Sequence, residues 1–271
     1  MAGSVLNWAF GFQINISAKL KVSASKSATS PSCKTLCDTK TKNNLKKENM
    51  SFFKNLFGGK SKEIEIPERE FTEEEHNKDY ELKERGLENV LGKMHGMVGH
   101  AIIPYSIGGA VDMYYFTNHI KGTGFATMEL LNPDGNGPKP NRIGTYELVA
   151  FTKLDYNDNE ENKTEFNTIE RRFCGIFTTI GNYSSQAILN PFETIEVPNG
   201  TDENNCLILD NYKPENKEFK IGERNHHLLL CLEVFRSEME FARKNGIGKL
   251  IELLKEKGFY PYSDLDRNPV A

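Results

Sequence analysis

His226-His-Leu-Leu-Leu-Cys-Leu-Glu-Val-Phe235 leads, one residue on, into Ser237-Glu-Met-Glu-Phe-Ala-Arg-Lys-Asn-Gly246 and then Ile247-Gly-Lys-Leu-Ile-Glu-Leu-Leu254. The first segment is an apolar run of strand length, so a strand is expected over 226–234. Ser237-x-x-Glu240 has the spacing of a capping box, in which a hydroxyl and a carboxylate satisfy the free N–H groups of a helix start. Asn245-Gly246 reads as a stop. Ile247, Leu250, Ile251 and Leu254 then recur on one face of a final helix closed by Gly258.

The same reading extends upstream. Short strands are expected near 193–197 and 205–209. Phe166, Ile169, Phe173, Ile176, Phe177 and Ile180 recur at three- and four-residue steps, which predicts a helix over about 165–181 lying across a sheet. Gly108-Gly109 precede Val111-Asp-Met-Tyr-Tyr-Phe116, whose branched and aromatic side chains favour a strand. Two more strands are expected at about 124–131 and 143–152, joined by the turn-forming segment Asn132–Pro140. Thr72-Glu-Glu-Glu75 is a further capping box; Tyr80, Leu87, Val90, Leu91 and Met94 predict a helix from 72 to about 95, ended by Gly96 and Gly99. Strands in the middle with helices between them and at the ends indicate an α+β domain, a mixed or antiparallel central sheet with helices packed on it.

Charge marks where that domain begins. Of the 34 basic and 38 acidic residues in the 271-residue chain, residues 1–49 hold eight lysines and two acids, leaving 26 and 36 and a formal charge of −10 for residues 50–271. Phosphate backbones are bound by clustered Lys and Arg, so nucleic acid is not the expected partner. Residues 1–49, rich in Ser, Lys, Thr and Asn, read as disordered, as an upstream extension or a targeting segment. Residues 50–71 read as a linker and 72–271 as the domain. No apolar stretch is long enough to span a bilayer, so no membrane partner is expected. The five cysteines are odd in number and, apart from Cys33-x-x-x-Cys37, lack metal-ligand spacing; they fit a reducing, cytoplasmic setting and no cofactor or metal.

With these elements in place, 226–235, 237–255 and the ending Tyr262-Ser-Asp-Leu-Asp-Arg267 resemble the end of suppressor-of-fused domains. Gly109-Ala-Val-Asp-Met-Tyr-Tyr-Phe116 and Thr145-Tyr-Glu-Leu-Val149 look like core strands of that family. The resemblance implies a non-enzymatic protein-binding module, either regulatory or, as in bacterial members, an immunity protein that neutralises a toxin. This chain looks like one lobe of the animal member's two-lobed clasp, so that clasp is not carried over. The acidic body implies a partner with a basic protein surface.

Candidate contact residues come from a repeated word, Thr127-Met-Glu-Leu-Leu131 and Thr145-Tyr-Glu-Leu-Val149. In a hairpin symmetric about Pro138, Glu129 and Glu147 fall opposite one another. Like charges facing across a ladder need a cation, a shared proton or a basic side chain between them. That cation is either a partner's Arg or Lys or an internal one such as Arg142; alternatively the loop shifts the register. Asp264, Asp266 and Arg267 read either as an Asp–Arg lock on the C-terminus or as partner contacts.

The alternative is a hydrolase or metal-dependent enzyme with a cryptic site. No motif supports it. His95 and His100 do not have the spacing of a zinc helix, and the adjacent His226 and His227 point to opposite faces of a strand. Gly122-Thr-Gly124 lacks the rest of a phosphate-loop fingerprint, and Ser184-Ser185 lack a nucleophile-elbow frame.

Overall fold

The computed structural model describes residues 71–157, 163–201, 203–215 and 217–271, together with the backbone of two short strands before them. The expected disorder of 1–49, the linker and Cys33-x-x-x-Cys37 otherwise lie outside the described residues. The elements in chain order are β1 (Leu6–Trp8), β2 (Val22–Ala24), α1 (Glu73–Leu91), β3 (Met94–Ala101), β4 (Met113–Phe116), β5 (Thr123–Ala126), β6 (Thr145–Thr152) and α2 (Glu165–Ser184). They continue with β7 (Glu193–Val197), β8 (Asn205–Tyr212), β9 (Phe219–Ile221), β10 (Arg224–Val234), α3 (Arg236–Asn245) and α4 (Ile247–Glu256).

The strands form one sheet in the order β1-β3-β4-β5-β6-β10-β8-β7-β2, with β9 also on β10. It is mixed, because β6 and β10 run parallel through Thr145↔His226 to Val149↔Leu230 while the β3–β6 and β7–β8 neighbours are antiparallel. This is the α+β architecture expected from the sequence.

Helices cover both faces. On one, Leu87 and Leu91 of α1, Met239 and Ala242 of α3 and Leu250 and Leu254 of α4 pack on Val149, Phe151, Leu228, Leu230 and Leu232. On the other, Phe166, Phe173, Phe177 and Ile180 of α2 pack on Tyr115, Phe125, Leu148, Leu229 and Cys231. Successive residues of β6 and β10 thus serve opposite cores, as strand alternation requires. Gly86 lets α1 lie tight on β9, since a Cβ there would stand 2.4 Å from the Lys220 carbonyl oxygen.

Three expected boundaries move. α1 stops at Leu91, where Gly92 takes φ 79° and returns its N–H to the Glu88 carbonyl. The next residues, expected to finish the helix, pair with β4 as β3, and Tyr80 is left 40% exposed. The strand expected over 124–131 ends at Ala126. The capping residue of α3 is Phe235, not Ser237: the Glu238 carboxylate accepts the Phe235 N–H at 3.0 Å, while Glu240 pairs with Arg243. The Thr72–Glu75 box is present in both directions, at 3.2 and 3.0 Å.

Candidate functional site

The β5–β6 ladder pairs Phe125 with Ala150 and Ala126 with Val149, one residue away from symmetry about Pro138. A one-residue slip reverses every side chain's face, so Glu129 and Glu147 do not oppose one another on a ladder. The chain leaves the sheet after Ala126 and folds over the Glu147 side chain. That fully buried carboxylate accepts the Thr127 hydroxyl at 2.6 Å and the Leu130 and Leu131 N–H groups at 3.3 Å. Thr127 Oγ1 in turn accepts the Leu148 N–H at 3.0 Å. Glu147 therefore anchors 127–131 and is closed to a partner.

The cation is internal, and it is Lys83 of α1. Its ammonium donates to the Leu131 carbonyl oxygen and lies 2.8 Å from the Asp79 carboxylate, itself 3.7 Å from Arg224. Burial pushes the Glu147 carboxyl above its ordinary range, and the Lys83 charge and the three hydrogen bonds oppose that push. Arg142, the expected neutraliser, instead donates to the Pro191 carbonyl oxygen and lies over the Phe192 ring.

Glu129 sits at the rim of this cluster, partly buried. It accepts the Asp112 N–H, while the Asp112 carboxylate accepts the Ala101 N–H at 2.9 Å and contacts His100 Nδ1 at 2.7 Å. Burial, then the nearby Asp112 charge, pushes the Glu129 carboxyl up to about 8. Tyr114, ring to ring with Tyr80 at 6.3 Å, is raised by burial and then by the Glu129 and Asp112 charges. Glu129 can hold its proton near neutral pH, and a cation arriving at the rim would favour its release.

Between β3 and β4, next to Asp112, runs Ile102-Ile-Pro-Tyr-Ser-Ile-Gly-Gly109. Ile102, Ile103 and Ile107 are 57%, 55% and 74% exposed, which makes this loop the main concentration of exposed aliphatic side chains among the described residues. Within it Tyr105–Ile107 is a 3-10 turn, the Gly109 N–H reaches the Pro104 carbonyl, and a Cβ on Gly109 would collide with the Ile103 carbonyl. Tyr105 points inward, 3.0 Å from where a Cβ on Gly181 would stand.

The C-terminal residues lie elsewhere and act apart. Arg267 makes a bidentate pair with Glu238 at 2.6 and 2.8 Å, with both side chains buried, so the lock joins the tail to α3 rather than to an aspartate. Asp264 accepts the Thr152 hydroxyl and, at 2.8 Å, the Lys153 N–H. Asp266 is exposed. Of the five candidate contact residues, Asp266 is exposed, Glu129 and Asp264 are half-buried, and the Glu147 and Arg267 side chains are buried.

Residue types in the remaining sequence motifs have local partners. His226 Nδ1 meets the Thr145 hydroxyl at 2.6 Å and His227 Nε2 lies 3.3 Å from Asn141 Nδ2. Burial lowers both, His227 to about 4. The Ser184 and Ser185 hydroxyls donate to carbonyls of their own helix. Among the described residues no three His, Cys, Asp or Glu side chains are placed to hold a metal ion, and no helix is long and apolar enough to cross a membrane. Sequence reasoning missed Asp112, Lys83 and the isoleucine loop. Lys83 had a signal, since Asp79, Lys83, Leu87, Val90 and Leu91 share one face of α1. Neither the protein-family models nor the curated proteins contain a match to this chain.

Proposed function

We propose that this chain is a cytoplasmic, non-enzymatic protein-binding module of the suppressor-of-fused type, which docks a basic, aliphatic segment of another protein. The observation that carries this reading is the juxtaposition of three exposed isoleucines in one loop with the Asp112–Glu129 carboxyl pair. Clustered exposed aliphatic area at a polar rim is a mark of protein interaction surfaces. A lysine or arginine of the partner would meet Asp112 and Glu129 while its aliphatic neighbours cover Ile102, Ile103 and Ile107. The −10 charge of residues 50–271 would steer such a partner, an effect screened by salt over about 8–10 Å. A toxin neutralised by this chain and a regulatory target would be recognised by the same chemistry.

The test is selection from a displayed random-peptide library on immobilised protein, with an Ile103→Asp/Ile107→Asp variant as counter-selection. Enrichment of peptides joining Lys or Arg to Leu, Ile or Val, lost on the variant, is the expected result. Enrichment that survives both substitutions would remove the loop from the site. The enzymatic alternative draws on one observation, the His100–Asp112 contact beside the Glu129 carboxyl group, which burial raises above its ordinary range, an arrangement suited to general acid–base work. It would require turnover abolished by His100→Ala.

A further inference from the structure

Strand pairing decides at which end of the sheet each loop emerges. β3 ends, β4 begins, β5 ends and β6 begins at one end, through the antiparallel partners Val98↔Tyr114, Tyr114↔Ala126 and Ala126↔Val149. β10 runs parallel to β6, and β8 and then β7 alternate against it, so Phe192, at the entry to β7, belongs to the same end. Ile102, Ile103, Ile107, Ile143, Ile188 and Phe192 all lie on loops of this end, and with Tyr80 they are the exposed large hydrophobic side chains among the described residues. From β3 to β7 the strand ends extend over roughly 30 Å, at about 4.8 Å per neighbouring strand. With helices on both sides of the sheet, such a face can supply the roughly 800 Å² that each partner gives to a standard interface.

The half of this face beside the isoleucine loop is acidic, through Asp112 and Glu129. The other half is cationic. Asn141 and Gly144 exchange main-chain hydrogen bonds at 3.0 and 3.1 Å, a tight turn whose tip carries the exposed Arg142 and Ile143. The tip is stitched to the segment after α2: Asn141 Nδ2 donates to the Leu189 carbonyl at 2.9 Å, and the Arg142 N–H to Asn190 Oδ1 at 3.1 Å. The Arg142 guanidinium donates to the Pro191 carbonyl and lies over the Phe192 ring, 5.7 Å from its centroid. Beside it the Lys139 ammonium donates to the Gln186 carbonyl at 2.7 Å, and both cations carry donors beyond the one so used. The Glu193 carboxylate is taken by the Asn190 N–H and Nδ2, at 2.9 and 3.0 Å. Phe192 itself adopts φ 66°, a left-handed conformation that costs a residue of this bulk and that collects at functional surfaces.

We propose that this end face binds a second copy of the chain as a two-fold dimer. Two-fold symmetry sets one half of a face against the other half of its copy, so a face with an acidic, aliphatic half and a cationic, aliphatic half is complementary to itself. The isoleucine loop and the Asp112–Glu129 rim of one protomer receive the Arg142–Ile143 turn of the other, and the same contact is made a second time across the axis. The inference rests on the proposed function in one respect, since that turn has the basic, aliphatic chemistry which the rim is argued to accept. The dimer thus masks the docking site, and a target segment binds by displacing the second copy.

The experiment is sedimentation velocity of the full-length protein over about 1–500 μM, which brackets a weak interface. A monomer–dimer equilibrium is expected for the parent. Arg142→Glu and Ile107→Asp, both at exposed positions, should each raise the dimer dissociation constant at least about tenfold while keeping the parent's circular dichroism spectrum. An equimolar mixture of Arg142→Glu and Glu129→Lys should dimerise again, because both contacts then regain opposite charges; if Glu129→Lys does not fold, Ile107→Lys replaces it. A parent that stays monomeric throughout, a dimer indifferent to both single substitutions, or a mixture that stays monomeric would overturn the assignment. A loop-binding peptide that binds a strictly monomeric parent would keep the proposed function and remove the dimer. A dimer that forms as described in a protein that selects no such peptide would keep the dimer and remove the docking reading.

Discussion

The main-chain N–H of Asp112 donates to the carboxyl group of Glu129, while the Asp112 carboxylate turns away to the Ala101 N–H and the His100 ring. Two acids are thus held side by side at the rim of a buried cluster, with Lys83 committed to Asp79 and to the Leu131 carbonyl. The Glu129 carboxyl binds its proton more tightly in the folded protein than in the unfolded chain. Its contribution to stability is complete below the ordinary carboxylate range and is lost as pH rises through about 8. Glu129→Gln keeps an acceptor for Asp112 and abolishes this loss. The variant should match the parent at pH 4 and exceed it at pH 8 by on the order of 2–4 kcal/mol in urea denaturation.

Glu147 is a different case, because three donors and a nearby ammonium are already organised around it. Glu147→Ala leaves the Thr127 hydroxyl and the Leu130 and Leu131 N–H groups without an acceptor and Lys83 with less compensation. A loss of about 3–5 kcal/mol is expected, read as a fall in thermal midpoint. A loss within about 0.5 kcal/mol, the range of ordinary surface changes, would contradict this anchoring role.

The Arg267–Glu238 pair separates a lock from a contact. Arg267→Ala strands the Glu238 carboxylate in the interior and should cost about 3–5 kcal/mol, whereas Asp266→Ala should stay within about 0.5 kcal/mol. Chemical denaturation of the two variants beside the parent distinguishes them.

Phe173 of α2 is fully buried and stacked on Phe125 at 5.9 Å. Phe173→Ala should therefore cost about 3–5 kcal/mol. An unchanged thermal midpoint would show that α2 does not carry its half of the core.

How much of this could be read in advance follows from which forces act locally. The stripe from Phe166 to Ile180 is a single-helix property, and α2 lies where its period puts it. So does β7. β3 was not legible, because Met94-His-Gly-Met-Val-Gly-His-Ala carries two glycines and no clean alternation; its extended state comes from pairing with β4. The carboxylates Glu129 and Glu147 were visible as a repeated word, but their relation depends on a ladder register one residue from the symmetric one, which the loop 132–140 sets and the sequence does not announce. Asp264, Asp266 and Arg267 read either as an Asp–Arg lock or as partner contacts; a lock forms, but Arg267 makes it with Glu238, 29 residues away on a helix that starts before the Ser237 signal.

The central claim, that the isoleucine loop and the Asp112–Glu129 rim bind a basic, aliphatic segment, is tested most directly by hydrogen exchange of the full-length protein with and without an enriched peptide. Protection over 101–112 and around Glu129, weakening between 50 and 500 mM salt, is the predicted result. Protection confined to other elements, or an unchanged exchange pattern at saturating peptide, would contradict it.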